Sequence, residues 1–282
     1  MPRFPFLAGT SYSLLVDGLP ASAILHPQRP GTSATRVLGI SPGAATVPVN
    51  QLKIYVHFSG PMSEGWAARA VRVQDGDSGK PLEGVLLTVE DELWDPERRR
   101  LTLLLDPGRI KRGLPPHDEV GYPLVEGRAV IVTVDPEFRD ADGRPLCEGA
   151  QRRYEVGPPV RARVEPADWV LDPPIVGSTE PLVVHFDRPL DRALLQHCIE
   201  VRGPDLGRVA GTACPGRGEG SWSFAPRQPW RAGDHRLRIE ARLEDLAGNS
   251  LRRVFDRDLA TADDDPLDIE HVDLSFTTAT PS

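Results

Sequence analysis

The sequence predicts an all-β protein built from β-sandwiches in tandem, and three observations support this prediction. The chain has 282 residues, which is enough for two ordinary domains. It contains 29 prolines, about twice the usual share, and proline interrupts helices because it lacks a backbone N–H donor. Its apolar residues alternate in short runs that end at turn residues. Together these features favour many short strands over a helical bundle.

A repeat within the sequence divides the chain into units. The motif Val-His-Phe occurs at 56–58 and again at 184–186, each time with a proline three residues later. Further matches before and after this motif keep the same order along the chain. We therefore predict homologous units at 34–157 and 159–280, which are separated at a Pro-Pro pair.

The N-terminal residues 1–33 form a third part of the chain. Residues 6–16 have the form of 230–239 and of 124–132, where the last strands of the two units are expected. We therefore expect 1–33 to be the remnant of a preceding unit of the same kind, and the chain to be part of a longer protein.

Each unit is predicted to contain about seven short strands. Ile54, Val56 and Phe58 occupy alternate positions, so that one face of their strand is apolar. Leu182 and Val184 alternate in the same way in the second unit. A short helical turn is predicted after each of these strands, and turn signals such as Asp-Gly separate the others. This pattern indicates an immunoglobulin-like β-sandwich in each unit.

The charge of the chain argues against a nucleic-acid partner. Its formal net charge is −8, so its field repels phosphate and it offers no basic footprint. No apolar run reaches the roughly 20 residues of a membrane-spanning helix. We therefore expect neither a nucleic-acid partner nor a membrane-spanning segment.

Three cysteines, Cys147, Cys198 and Cys214, offer few chemical possibilities. They form no CxxC motif and no cluster with histidine at zinc spacing, so we predict no metal site. Cys198 and Cys214 flank a predicted hairpin, which would place them roughly opposite one another. They could form a disulfide in an oxidising compartment, or they could remain two free thiols.

The sequence contains none of the motifs GxSxG, HExxH or GxxxxGK[ST], which carry nucleophilic, zinc-dependent and nucleotide chemistry. We therefore predict no catalytic residues and no cofactor. Acidic residues at 256–258 and 263–270 could bind calcium, but the spacing of a calcium loop is absent, so we favour a solvated acidic loop. Trp94 and Trp169 lie in proline-flanked turns and are the candidates for surface aromatics that could stack on a sugar.

A long insertion between two strands of the first unit is the most distinctive segment. Loops on a rigid sandwich are where binding residues collect. The insertion could form a recognition surface, or it could be a proline-stiffened spacer or interdomain contact; we favour the spacer. Its candidate interaction residues are Arg109, Lys111, Arg112, His117, Asp118, Glu119 and Tyr122.

Five segments of the second unit carry a family resemblance. They are Glu-Pro-Leu-Val-Val-His-Phe-Asp-Arg-Pro-Leu at 180–190, Trp-Ser-Phe-Ala-Pro at 222–226, Trp-Arg-Ala-Gly at 230–233, Leu-Glu-Asp-Leu-Ala-Gly-Asn at 243–249 and Leu-Ser-Phe-Thr-Thr at 274–278. In this order they resemble the bacterial Ig-like domains first described in S-layer proteins. The first unit matches less well, because its turn at 140–143 lacks the Ala-Gly-Asn ending.

The resemblance implies repeated, extracytoplasmic and mostly non-catalytic modules, with no catalytic residues to transfer. We therefore predict a non-catalytic structural or interaction module of an extracytoplasmic bacterial protein, acting as a spacer or scaffold. Its partner would be another protein or a surface glycan. The alternative is a carbohydrate- or calcium-binding Ig-like module that uses the insertion or the exposed tryptophans.

Overall fold

The chain folds into two compact units that are interlaced along the sequence. The computed structural model describes Phe6 and residues 10–25, 34–87, 91–257 and 266–280. Unit 1 comprises Met1–Ser41, Ile54–Leu105 and Arg128–Tyr154, and unit 2 comprises Pro42–Lys53, Asp106–Gly127 and Glu155–Ser282. The chain therefore passes from one unit to the other five times.

Strands account for most of the regular structure. In chain order they are β1 (Ser11–Val16), β2 (Leu19–Leu25), β3 (Val37–Ser41), β4 (Thr46–Pro48), β5 (Lys53–Phe58), β6 (Val71–Asp75), β7 (Leu93–Trp94), β8 (Arg100–Leu104), β9 (Ala129–Val134), β10 (Ala150–Gly157), β11 (Val170–Asp172), β12 (Leu182–His185), β13 (Ile199–Arg202), β14 (Gly211–Pro215), β15 (Ser221–Pro226), β16 (Asp234–Glu240) and β17 (His271–Thr277).

The helices among the described residues are short, with four to six residues each. They are α1 (Ala67–Ala70), α2 (Pro107–Ile110), α3 (Pro115–Val120) and α4 (Arg192–Leu195), with 3-10 turns at Pro166–Asp168 and Arg217–Glu219. The turns α1 and α4 follow the two Val-His-Phe strands, as the repeat predicts. Over the described part of the chain, no helix combines the length and the apolar character needed to span a bilayer.

Unit 2 is a sandwich of two antiparallel sheets. One sheet has the order β11-β12-β15-β14 and the other β13-β16-β17. Leu182 and Val184 of β12, together with Leu237 and Ile239 of β16, are fully buried in a shared apolar core that also contains Trp222. The buried residues alternate along each strand, because successive side chains of a strand point to opposite faces.

Unit 1 contains a sheet of order β3-β5-β8-β7 and a second group in which β9 lies between β6 and β10. Val56 and Phe58 of β5 and Val132 of β9 are almost completely buried. Phe58 packs against Phe138, with ring centroids 5.4 Å apart. Strands β1 and β2 form a separate antiparallel hairpin. The predicted all-β architecture of tandem immunoglobulin-like sandwiches is thus confirmed.

The two units share one local feature that reflects the repeat. Met62 forms an isolated antiparallel bridge with Asp140, and Leu190 forms the same bridge with Asp245. Both aspartates are buried, at 1% and 3% exposure, and each accepts backbone N–H groups of the turn that it begins.

The compact units are not continuous stretches of sequence. Residues 42–53 and 106–127 fall within the first predicted repeat, yet they pack with unit 2. In unit 2, for example, β4 pairs in parallel with the last residues of β10. The boundaries at 34–157 and 159–280 therefore remain a prediction about the repeat in the sequence.

Candidate functional site

The insertion predicted in the first repeat, residues 108–123, lies within the segment 106–127 of unit 2, which contains the two short helices α2 and α3. Asp106 precedes α2, and its Oδ1 accepts a hydrogen bond from the N–H of Gly108 at 2.9 Å. Proline occupies the first position of both α2 and α3, where its fixed φ suits the helix and its missing N–H costs nothing. The prolines of the insertion therefore start its helical turns.

Two predicted interaction residues hold these turns together. Arg109 Nε donates to the carbonyl oxygen of Gly121 at 3.0 Å, and its Nη2 donates to that of Tyr122 at 2.6 Å. His117 Nδ1 lies 2.6 Å from the carbonyl oxygen of Arg109, within donating distance. The side chains of Arg109 and His117 thus satisfy the backbone of their own loop.

The carboxylate of Asp256 is the centre of the site. Asp256 is fully buried. Its Oδ1 accepts from the backbone N–H of Arg112 at 3.1 Å and from Arg112 Nε at 3.3 Å. Its Oδ2 accepts from Arg161 Nε at 3.0 Å and from the hydroxyl of Tyr122. We call this group, Asp256 with Arg112, Tyr122 and Arg161, the Asp256 clamp.

In the Asp256 clamp, hydrogen-bond donors surround one buried acceptor, the carboxylate of Asp256. Burial raises the pKa of Tyr122, and the hydrogen bond to Asp256 raises it further, so the phenol stays neutral and donates. Burial lowers the pKa of Arg161, but its hydrogen bonds to Tyr122 and Asp256 outweigh this effect and raise it overall. A buried carboxylate requires such charged and neutral donors. The clamp attaches the insertion to the segment before residue 257.

A cavity of about 470 Å³ lies beside the clamp. Lys111, Arg112, Leu114, Arg253, Val254, Phe255, Arg257 and Pro266 line it. Lys111 Nζ lies 4.6 Å from the centre of the Phe255 ring, and Arg112 binds Asp256. The basic side chains that line this cavity could bind an anionic group. However, Lys111 already contacts the Phe255 ring and Arg112 already binds Asp256.

The seven predicted interaction residues therefore divide into four groups. Arg109 and His117 act within the insertion, and Arg112 and Tyr122 contact Asp256. Lys111 lines the cavity. Asp118 and Glu119 lie on α3 with exposed side chains.

The two tryptophans predicted to be surface aromatics are not exposed platforms. Trp169 is only 6% exposed and packs at a ring distance of 4.6 Å against Phe186, so this prediction is wrong. Its turn folds over the core of unit 2 because the indole supplies a large apolar surface. Trp94 is half-buried, its ring lies 5.8 Å from that of Phe58, and its Nε1 donates to Glu92.

The cysteines considered for a disulfide are free thiols in the structure. The predicted turn is present, since the N–H of Gly203 donates to the carbonyl of Gly207. Beyond this turn, however, β14 pairs with β15 in the four-stranded sheet, whereas β13 belongs to the three-stranded sheet. Cys198 is buried and Cys214 is exposed. Burial raises the pKa of Cys198 to about 11, which makes its thiol unreactive.

The acidic segment near the C-terminus was predicted to be a solvated loop. Its first residue, Asp256, does not fit this prediction. Asp256 was expected on the surface but is fully buried. Residues 258–265, which contain most of the acidic run, lie outside the described residues. Elsewhere in the described ranges, no group of three or more His, Cys, Asp or Glu side chains is placed to hold a metal ion.

The sequence pattern does not predict Asp256 and Arg161 as members of the site. Asp256 lies in an acidic run, and Arg161 is one of many arginines near a proline linker. The only local signal is the apolar pair Val254-Phe255 directly before Asp256, which could have suggested that this end of the run is buried.

Comparisons with known proteins show only distant similarity of fold. No family model and no curated protein matches the chain. Among solved structures, it is similar to the part of native alpha-2-macroglobulin from Escherichia coli that spans domains MG0-NIE-MG1, at 12% identity and a TM-score of 0.28 over 72% of this chain and 65% of that one. It is also similar to the N-terminal part of the bacterial S-layer protein SbsC, at 12% identity and a TM-score of 0.30 over 73% and 40% of the two chains.

A third similarity is to the four N-terminal Ig domains of Dscam1, at 11% identity and a TM-score of 0.25 over 78% of this chain and 50% of that one. In each of these three comparisons the chain spans less than two thirds of the other chain's length. At these identities and TM-scores the similarity carries no information about ligand or activity.

Proposed function

We propose that this chain is a non-catalytic structural module of an extracytoplasmic bacterial protein, where it acts as a spacer or scaffold. The observation that carries this proposal is the Asp256 clamp. The insertion is the segment best suited by sequence to recognise a partner, yet Arg112 and Tyr122 bind a buried carboxylate of their own unit. Groups that are held in this way stabilise the loop through contacts within the unit.

Other contacts in unit 2 support the same interpretation. Arg188 Nε donates to Asp245 Oδ2 at 3.0 Å, so the segments 180–190 and 243–249, which carry the family resemblance, meet through an ion pair. Lys53 Nζ reaches Asp191 at 3.5 Å and also binds Glu244. The buried charged groups of this region are thus paired with one another, as a structural role requires.

The interlacing of the units also suits a spacer. Because each unit consists of three separate segments, the chain connects the two units at five points, and neither unit can be removed as one continuous stretch. A module that maintains a distance benefits from this property, since local loss of structure would change the distance.

The organisation and location that we infer follow the sequence. We propose that 1–33 derives from a preceding unit, that 34–157 and 159–280 are tandem repeats, and that the chain functions outside the cytoplasm. The similarity of segments in the second repeat to Ig-like domains of S-layer type supports this location. A protein partner suits the spacer role better than a glycan, because Trp169 is buried.

The proposal is tested by weakening the clamp without changing charge. Replacing Tyr122 by phenylalanine (Tyr122→Phe) removes one donor to a buried carboxylate, and we expect a loss of about 2 kcal/mol in the free energy of unfolding. We also expect trypsin to cleave several-fold faster after Arg109, Lys111 and Arg112. Urea denaturation and timed proteolysis measure these two effects.

Asp118→Asn on the exposed face of α3 is the matched control, and it should change stability by less than about 0.5 kcal/mol. Unchanged stability and cleavage in Tyr122→Phe would show that the insertion is not held by the clamp. The insertion would then be free to act as a recognition surface, and the spacer proposal would lose its main support.

A further inference from the structure

An amine and two carboxylates meet where three distant segments of unit 2 come together. Lys53 Nζ lies 2.5 Å from Glu244 Oε2 and 3.5 Å from Asp191 Oδ2. The side chain of Asp191 is 4% exposed, whereas those of Lys53 and Glu244 are 23% and 18% exposed. All three residues belong to unit 2. We call them the Lys53 triad, in which a primary amine faces one buried and one half-buried carboxyl group.

Backbone hydrogen bonds hold the members of the triad in place. The N–H of Asp191 donates to the carbonyl oxygen of Glu244 at 2.8 Å. The N–H of Leu52, next to Lys53, donates to the carbonyl oxygen of Leu246 at 2.9 Å. The three segments are therefore fixed side by side. Reacting groups that are held in this way behave as if they were present at a very high effective concentration.

The two side-chain oxygens of Asp191 have different surroundings. Its Oδ1 accepts hydrogen bonds from the N–H groups of Ala193 and Leu194, at 2.9 and 3.0 Å, whereas its Oδ2 is the oxygen that faces Lys53. Two N–H donors on one oxygen stabilise the negative charge that develops there when a nucleophile adds to the carboxyl carbon. The carboxyl group of Asp191 is thus arranged to accept an amine, with Oδ2 as the oxygen that can leave.

The presence of a lysine in the triad is unusual for this chain. Lysine occurs at three of the 33 basic positions of the sequence. The other buried aspartates of the described ranges, Asp140, Asp245 and Asp256, each pair with an arginine, whereas Asp191 pairs with Lys53. A guanidinium stays protonated in proteins, but an ammonium can lose a proton and then becomes a nucleophile. The chain therefore has a reactive type of base at this buried aspartate.

We propose that Lys53 and Asp191 form an intramolecular isopeptide bond, with Glu244 as the group that carries the protons. The ammonium of Lys53 passes one proton to Glu244, and the neutral Nζ attacks Cγ of Asp191, so that a C–N bond forms. The C–Oδ2 bond then breaks, and Oδ2 leaves as water with two of the three protons that Nζ carried at the start. Glu244 relays both protons and ends as the carboxylate that it was at the start. The products are a neutral amide and one water, and no oxidant or cofactor is consumed.

The charges of the triad determine how fast this bond forms. Burial lowers the pKa of Lys53, but Asp191 and Glu244 outweigh this effect and raise it above its ordinary value. The amine therefore rests as ammonium, and the bond forms slowly in the folded chain. The amide closes a covalent loop between positions 53 and 191, which restricts the unfolded chain as a disulfide does. The inference goes beyond the spacer role and does not depend on it.

The test is the intact mass of the full chain, measured by mass spectrometry at intervals over several days after purification. We expect the mass of the wild type to fall by about 18 Da, the mass of one water, below that of its sequence. Tryptic digestion should then yield a branched peptide in which Lys53 is joined to Asp191. Glu244→Gln removes the proton carrier and should slow the mass loss by about tenfold or more.

Two lysine variants complete the test. Lys53→Arg keeps the positive charge of the triad but removes the amine, and it should retain the full mass. The matched control is Lys111→Arg, because Lys111 Nζ lies 4.6 Å from the centre of the Phe255 ring; this variant should lose water as the wild type does. A wild type that keeps its full mass would overturn the proposal, whether or not the variants fold. Equal mass loss in Lys53→Arg would also overturn it, because a succinimide at an Asp-Gly pair such as 142–143 would then explain the loss.

Discussion

The hairpin β1–β2 and the strand pair β16–β17 have similar local sequences but different surroundings. Each first strand follows an aromatic-x-Ala-Gly segment and pairs in antiparallel fashion with the second. Leu14 of β1 is 51% exposed, whereas Leu237 of β16 is 0% exposed. The local sequence is therefore sufficient for strand pairing. Burial depends on a second sheet, which within the described ranges covers Leu237 of the later pair and leaves Leu14 of the hairpin exposed.

The connections between the strands differ as well. Asp17 and Gly18, with φ values of 48° and 78°, join β1 to β2 in the tight turn typical of hairpins. Between β16 and β17 the chain runs through 241–270, which includes the buried carboxylates of Asp245 and Asp256. A tight turn needs no partner, whereas a long connection must be anchored, and these two aspartates provide the anchors.

The largest expected effect is a difference in stability loss between equivalent leucine substitutions in the two strand pairs. Leu237→Ala removes a fully buried side chain and should reduce the free energy of unfolding by about 3–4 kcal/mol through lost burial and a cavity. Leu14→Ala should change it by less than about 0.5 kcal/mol in the monomer. Urea denaturation at low protein concentration measures both. Similar losses in the two variants would mean that the hairpin is covered within the monomer, which would erase the difference between the pairs.

The next effect concerns the anchors of the long connection. Asp256→Asn leaves Arg112 and Arg161 without their buried counter-charge, and we expect a loss of about 2 kcal/mol because both guanidinium groups can reach water. The control is Asp17→Asn in the tight turn of the hairpin, where Asn accepts positive φ and stability should change little. Thermal unfolding of the two variants provides the comparison. Equal stability of both would show that the long connection is held by packing alone.

Much of the fold can be predicted from the sequence because strands leave a local pattern. Alternation at Leu182 and Val184 identifies a half-buried strand, and both residues are indeed fully buried. The matched prolines and turns locate equivalent elements in the two repeats. The assignment of 106–127 to unit 2 could not be predicted, because it depends on contacts between residues such as Arg112 and Asp256, which are 144 positions apart.

Only part of the candidate site could be predicted, because the site also depends on contacts between residues that are far apart in the sequence. Arg112 and Tyr122 attract attention because an insertion rich in charged residues is unusual, but nothing local shows that they face inward. Trp169 was expected on the surface because it is flanked by turn residues, and it is buried because the turn folds back over the core. Composition and spacing report the character of a segment, whereas its partner is set by tertiary structure.

The last prediction uses pH to examine the other anchor. Burial raises the pKa of Asp245 to about 6, although Asn249 and Arg188 donate to its carboxylate. Between the unfolded value of 3.8 and this value, the folded state binds more protons than the unfolded state. The contribution of Asp245 to stability should therefore decrease as pH rises through this window, by about 1 kcal/mol per pH unit.

Asp245→Asn removes this titration, so the difference in unfolding free energy between wild type and variant isolates it. We expect the unfolding free energy of the wild type to fall relative to that of the variant between pH 4 and pH 6. Above about pH 7 the difference should stay constant. Urea denaturation at four or five pH values measures it. If the wild type instead gains stability relative to the variant as pH rises, the ion pair with Arg188 affects the pKa of Asp245 more strongly than burial does. The long connection between β16 and β17 would then be anchored by the contact of Asp245 with Arg188, as it is by the contacts of Asp256 with Arg112 and Arg161.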